Sequence, residues 1–115
     1  MALSEIELKR CEKAIEAFLE KRRPPLHIRE KLDVDCLISG QSVEVQEIRP
    51  DWQDESRKIS RSTAKATYAK ATNEWKVYWI RQDLKWHRYE PHPTAKSLAD
   101  FLNVVDQDAH CCFFG

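Results

Sequence analysis

Apolar residues at helical spacing define the first element of the chain. They recur at every third or fourth position, with charged residues between them: Leu8, Cys11, Ile15, Phe18 and Leu19. This pattern is typical of a helix that buries one face. Ser4 and Glu7 have the spacing of a capping box, in which each side chain accepts a hydrogen bond from the other residue's backbone. We therefore predict a helix that starts after Ser4 and ends at Pro24-Pro25.

Alternation of apolar and polar residues predicts two strands after this helix. The first covers residues 32–38, and a tight turn at Ser39-Gly40-Gln41-Ser42 leads to the second, which begins at Val43. The alternation of the second strand slips by one position at Gln46-Glu47. We therefore predict a β-bulge there.

A second hairpin is predicted over residues 60–71 and 75–80, with a bend at Thr72-Asn73-Glu74. A helix is the rival interpretation of its first strand, because that segment is rich in alanine. An apolar stripe at helical spacing is missing there, so we favour the strand.

The C-terminal part of the chain predicts a second helix. Its apolar positions follow helical spacing: Leu98, Phe101, Leu102 and Val105. Thr94 is the expected N-cap, and we expect the apolar end, residues 111–115, to dock against the domain. The predicted fold is one α+β domain, residues 1–115, in the order helix, four antiparallel strands, helix. We expect both helices on one face of the sheet, with the other face partly open.

Composition narrows the class of protein. The 115 residues are 42% hydrophobic and 33% charged, which is too apolar for a disordered chain and too charged for a membrane protein. No apolar run approaches the roughly 20 residues of a spanning helix, and the start of the chain lacks the pattern of a signal peptide. We expect a cytoplasmic protein without membrane contact. Its cysteines are then reduced: Cys11, Cys36, Cys111 and Cys112.

Charge is segregated along the chain, although 19 basic and 19 acidic residues give a net charge of zero. Residues 32–56 hold one basic and seven acidic residues, whereas residues 57–88 hold nine basic and two acidic ones. The sequence leaves open whether these two stretches face each other and cancel or point apart.

The basic stretch supplies the main candidate for a binding site. If the second hairpin forms, one sheet face and its end collect a set of basic and aromatic residues: Arg61, Lys65, Lys76, Tyr78, Arg81, Lys85, Trp86 and Arg88. Lysine and arginine neutralise phosphates, and aromatic rings stack on exposed bases, so the set suits nucleic acid. The alternative is an ordinary solvated face that the acidic strands neutralise.

A small enzyme is a weaker alternative. Asp83, His87 and Glu90 lie within eight residues, and His87 would carry a proton while a carboxylate orients it. The same residues are equally consistent with ordinary packing. We lean against an enzyme and name no catalytic residue.

Metal binding has little support in the sequence. His110, Cys111 and Cys112, with His92 or His87, are the only soft ligands close together in the chain. Adjacent cysteines chelate one ion poorly, and no cysteine-x-x-cysteine spacing occurs. We predict no metal and no cofactor.

A protein-interaction module or a homodimer is the other alternative. Exposed strand edges invite pairing, and segregated acidic and basic surfaces are self-complementary in a two-fold arrangement. Trp52 in the acidic loop is a possible anchor. We expect instead that Trp52 folds back over the core.

The tryptophan-rich run from Glu74 to Pro91, followed by an amphipathic helix and a cysteine-aromatic-glycine end, resembles the bacterial proteins grouped as domain of unknown function 3024. The start of the chain agrees, in residues 4–10 and in Arg22-Arg23-Pro24-Pro25. The resemblance implies a small bacterial protein that stands alone or nearly so. It carries no activity over to any residue.

Overall fold

The first helix, α1 (Glu5–Arg22), begins at the predicted capping box in this computed structural model, which describes residues 3–54 and 56–108. The Glu7 amide donates to Ser4 Oγ at 3.3 Å, and the Ser4 amide donates to Glu7 Oε1 at 3.2 Å. Cys11 and Phe18 are buried on its inner face. The chain turns extended at Arg23, ahead of the two prolines, so both predicted ends are confirmed.

One antiparallel sheet follows, with its strands β1 to β5 adjacent in chain order: β1 (Asp33–Ser39), β2 (Ser42–Pro50), β3 (Lys58–Ala69), β4 (Glu74–Ile80) and β5 (Trp86–Arg88). A sixth strand, β6 (Thr94–Ala95), pairs with β4 on the same edge as β5. The prediction of four strands is therefore slightly low. β5 and β6 have three and two residues, which is too short for an alternating pattern to show.

The β1–β2 turn requires its glycine. Gly40 has a φ of +59° and is the first of two residues between the paired Ser39 and Ser42. A two-residue hairpin with glycine in this position matches a type II′ turn, whose twist fits that of the strands. The predicted turn is confirmed.

A β-bulge interrupts the pairing of β2 with β3. Val45 pairs with Ala64 and Gln46 pairs with Ser62, so Thr63 is the extra residue. Its hydroxyl donates to the Val45 carbonyl oxygen at 3.3 Å, and the residue is buried. The bulge lies one position from the site predicted at Gln46-Glu47, and the added residue belongs to β3 rather than β2. The break in the apolar alternation of β2 indicated the change of register, but it did not show that the inserted residue lies in β3.

The second helix, α2 (Leu98–Gln107), is capped by Ser97, whose Oγ accepts the Asp100 amide at 3.1 Å. Thr94, the predicted cap, lies in β6 instead, because two more residues pair with β4 before the helix begins. The predicted apolar stripe of α2 is buried throughout: Leu98, Phe101, Leu102 and Val105.

Both helices share one core with the same face of the sheet, as predicted. The sheet contributes buried residues from five strands to this core: Val34, Val43, Val45, Ala64, Ala66, Trp75, Val77 and Ala95. Each larger side chain buried in this way contributes roughly 1.5–3 kcal/mol before entropy is counted. We call this the helix side of the sheet, and the opposite face the open face.

No helix among the described residues is long and apolar enough to cross a membrane. The apolar end of the chain, residues 111–115, lies outside the described residues, and so does the docking predicted for it.

Candidate functional site

Strand register places one row of side chains across the open face. Leu37 pairs with Glu44, Glu44 with Lys65, Lys65 with Tyr78, and Tyr78 with Arg88. Paired residues share a face, and these positions alternate with the buried ones of the helix side. The row therefore runs from an apolar and acidic edge to a basic and aromatic one.

Five of the eight residues predicted to bind nucleic acid share the open face. We call them the open-face cluster: Lys65, Lys76, Tyr78, Trp86 and Arg88. The Lys65 ammonium lies 5.2 Å from the centroid of the Tyr78 ring and 4.9 Å from that of Trp86. The Arg88 guanidinium lies 5.7 Å from the Tyr78 centroid. The predicted combination of cations and rings is thus assembled by β3, β4 and β5.

Arg61 is not part of this cluster, which corrects the predicted face. Because Thr63 is an extra residue, the alternation of β3 changes sides between Lys65 and Arg61. Arg61 pairs with Glu47, which in turn pairs with the core residue Val34, so Arg61 lies on the helix side.

Two further predicted residues lie off the cluster. The Arg81 guanidinium is 5.6 Å from the centroid of Trp79, a side chain that packs against the core on the helix side. Lys85 is exposed in the turn between β4 and β5. Sequence spacing placed these residues near the end of the hairpin but did not reveal their side of the sheet.

The acidic and basic stretches lie side by side in the sheet and leave the cations of the cluster unpaired. β2 carries Glu44 next to Lys65, but Glu44 Oε1 accepts a hydrogen bond from Ser62 Oγ at 2.7 Å. Among the described residues, no carboxylate forms an ion pair with Lys65, Lys76 or Arg88. The open face is therefore polarised between an acidic half and a basic half.

The acid–base candidates are brought together only in part. His87 Nε2 lies 2.8 Å from Asp83 Oδ2, in the turn between β4 and β5. The pKa of Asp83 is lowered, first by the hydrogen bond from the Lys85 amide and then by the one from His87. Glu90 is exposed, and the structure shows no contact between it and this pair. The hollow beside the pair is lined by Asp83 but not by His87.

The described cysteines are poor nucleophiles. Burial raises the pKa of Cys36 to about 12, with a contribution from the charge of Asp35. Burial also raises the pKa of Cys11. Since the thiolate is the reactive form, burial disfavours both thiols as nucleophiles.

Metal ligands do not cluster in the described part of the chain, where no group of three His, Cys, Asp or Glu side chains is arranged to hold an ion. His92 Nε2 lies 3.9 Å from Asp100 Oδ2, at the start of α2. The predicted alternative set His110, Cys111 and Cys112 lies outside the described residues.

Trp52 does not fold back over the core, contrary to our expectation, and is 87% exposed. The loop that carries it is closed by its own hydrogen bonds. Asp51 Oδ1 accepts the Gln53 amide at 3.0 Å, and Asp54 Oδ1 accepts the Ser56 amide at 3.0 Å. These hydrogen bonds form within the loop itself, and the Trp52 indole remains exposed to solvent.

A cavity of about 260 Å³ between the starts of the two helices was missed by sequence reasoning. Tyr68 and Trp75, whose ring centroids are 5.2 Å apart, form one wall, and Arg10 and Cys11 lie opposite. Four separate segments contribute to it, so no local sequence signal marks it.

Fold and surface together define a small α+β protein with an open sheet face that is basic and aromatic on one half. The model of the family described as Domain of unknown function (DUF3024) matches residues 3–115, and the chain belongs to this family. No curated protein and no solved structure matches the chain.

Proposed function

We propose that this protein is a non-enzymatic binding module that holds single-stranded nucleic acid on its open face. The carrying observation is that Tyr78 and Trp86 lie among cations that form no ion pair with a described carboxylate, on a sheet face against which neither described helix packs. Lysine and arginine neutralise phosphates, while aromatic rings stack on bases of any sequence. A location in the bacterial cytoplasm, where single-stranded nucleic acid and reduced thiols coexist, is part of this proposal.

Lys65 now occupies the space that a base would take. Its ammonium lies above both rings, and such a contact at an exposed site contributes about 0.5–1 kcal/mol. Stacking of a base on an aromatic side chain contributes about 1–3 kcal/mol. One base stacked on each ring therefore outweighs the two Lys65 contacts, and the displaced ammonium becomes free to bind a phosphate.

The charge pattern favours a single strand over a duplex. The basic half comprises β3, β4 and β5, which together span about 10 Å at the usual strand spacing. Glu44 lies on β2, directly beside it, and the exposed Asp35 lies one strand further out, on β1. A second nucleic-acid strand would meet this negative charge, whereas one strand fits within the basic half.

Charge reversal on the open face tests the proposal. We expect Lys65→Glu with Lys76→Glu to lower the affinity for a fluorescent single-stranded oligonucleotide by about 100-fold at low salt, measured by anisotropy. The matched control is Lys9→Glu with Lys13→Glu on the exposed side of α1, which changes the net charge equally. Equal loss in both variants, or no binding of the wild type at low salt, would show the proposal to be wrong.

Binding of a protein partner is a second candidate, favoured by the exposure of Trp52. Exposed tryptophans are enriched among the residues that dominate protein interfaces. Trp52 lies in the acidic loop, apart from the open-face cluster, so the two functions are separable by mutation.

A further inference from the structure

A second basic and aromatic surface lies on the helix side, at the end of β4. It is a hollow of about 630 Å³ with six lining residues: Arg61, Trp79, Ile80, Arg81, Gln82 and Asp83. None of these residues belongs to α1 or α2, and four of the six are exposed to solvent: Arg61, Arg81, Gln82 and Asp83. Arg61 and Trp79 place the hollow on the side opposite the open-face cluster.

The bulge at Thr63 places the first cation, Arg61, at this hollow. Without the extra residue, Arg61 would share the open face with Lys65. Arg81 supplies the second cation, with its guanidinium above Trp79. Among the described residues, no carboxylate forms an ion pair with either arginine.

Asp83 is the acidic member of the hollow, and its charge is already engaged. Its Oδ1 accepts the Lys85 amide at 3.0 Å, and its Oδ2 lies 2.8 Å from His87 Nε2. These contacts hold the carboxylate against its own turn. Arg81 also acts electrostatically on Asp83, but neither arginine forms an ion pair with a described carboxylate, so both can bind an anion that enters the hollow.

Only the turn from Arg81 to Lys85 separates the two surfaces. Trp86 follows the turn directly and lies on the open face, paired with Ile80, which also borders the hollow. Lys85 is exposed in the turn between them. Arg81 and Lys85 therefore carry positive charge from one face of the sheet to the other, with the carboxylate of Asp83 between them.

We infer that a single strand bound on the open face continues around this turn, and that the hollow is a second subsite. Arg61 binds a phosphate there, and the guanidinium of Arg81, 5.6 Å from the centroid of the Trp79 ring, offers a stacking platform for a base. The inference rests on the proposed function and extends it. It assigns the protein a site size toward the upper part of the roughly 4–16 nucleotides that comparable small domains cover.

The length dependence of affinity tests this subsite. Oligothymidylates of about 4 and about 12 nucleotides probe one surface and both surfaces respectively. The readout is the ratio of the two affinities, and a charge-matched control accounts for the general effect of net charge, which is larger for the longer oligonucleotide. We expect a ratio above about 30 for the wild type and for the control Lys9→Glu with Lys13→Glu. For Arg61→Glu with Arg81→Glu it falls to about 9, the number of registers in which a site of about 4 nucleotides fits on about 12.

Neutral substitutions guard against a folding defect. Arg61→Gln with Arg81→Gln should lower the ratio in the same direction with an unchanged circular dichroism spectrum. If the arginine variants keep the wild-type ratio, the second subsite is wrong while the open-face proposal stands. If the wild type binds neither length, the proposed function fails and the subsite fails with it.

Discussion

Tyr78 lies at the centre of the open-face cluster. It pairs with Lys65 on one side and with Arg88 on the other, and both cations lie within 6 Å of its ring centroid. Trp86 shares Lys65 with it. Because Lys65 lies above both rings, one movement of its side chain exposes both of them for stacking.

Removing either ring tests the role of stacking. We expect Tyr78→Ala and Trp86→Ala each to weaken binding of a single-stranded oligonucleotide by about 5- to 150-fold, which corresponds to about 1–3 kcal/mol per base. Trp52→Ala is the control, because it removes an exposed ring outside the cluster. Anisotropy titrations at fixed salt measure all three. A loss for Trp52→Ala as large as for Trp86→Ala would contradict the assignment.

The position of Arg61 could be predicted from the sequence only in part. Its place on β3 was predicted correctly, but the face of the sheet on which it lies depends on one inserted residue in β3. Ser62 and Thr63 fit an alternating strand as well as a bulge, so the sequence contains no local sign of the insertion. A single extra residue reverses the orientation of every side chain beyond it.

At the scale of elements, β1 is an edge strand that its own aspartates protect. The pair Ser39–Ser42 closes a two-residue hairpin, so the amides of Val34 and Cys36 point away from β2. The Asp33 and Asp35 carboxylates accept these two amides at 2.8 Å. A free edge would otherwise offer these donors to another strand.

Asp35 therefore has a predicted effect on solubility. Asp35→Ala frees the Cys36 amide, and we expect it to self-associate more than the wild type in sedimentation velocity at about 100 µM. Asp35→Asn keeps a hydrogen-bond acceptor but removes the charge. It therefore distinguishes protection by the hydrogen bond from protection by the charge. Association of Asp35→Asn to the same extent would assign the protection to charge. Identical sedimentation of Asp35→Ala and the wild type would contradict any protective role.

The long elements were predictable because each has a periodic apolar face. α1, α2 and β1 to β4 all bury such a face against the shared core. β5 and β6 escaped prediction because they are held mainly by pairing with β4, and Pro91 and Pro93 interrupt the segment between them. The N-cap of α2 is Ser97 rather than the predicted Thr94 because Thr94 belongs to β6 and pairs with β4.

At the scale of the whole molecule, zero net charge conceals a polarised sheet. The acidic stretch forms β1 and β2, and the basic stretch forms β3, β4 and β5, so opposite charges lie in the same layer. The two stretches meet where β2 pairs with β3, and there Glu44 lies opposite Lys65 and Glu47 lies opposite Arg61. The question that the sequence left open thus has a divided answer: opposite charges face each other at the β2–β3 border, and they are separated across the rest of the sheet.

The most direct test of the open-face site is an NMR titration of the ¹⁵N-labelled protein with a single-stranded oligonucleotide of about 12 nucleotides at low salt. Binding on the open face predicts that the largest shift changes occur at the Trp86 indole N–H and at backbone amides of β3, β4 and β5, with little change in α1 and α2. Largest changes in the helices, or no change at excess oligonucleotide, would contradict a nucleic-acid site on the open face.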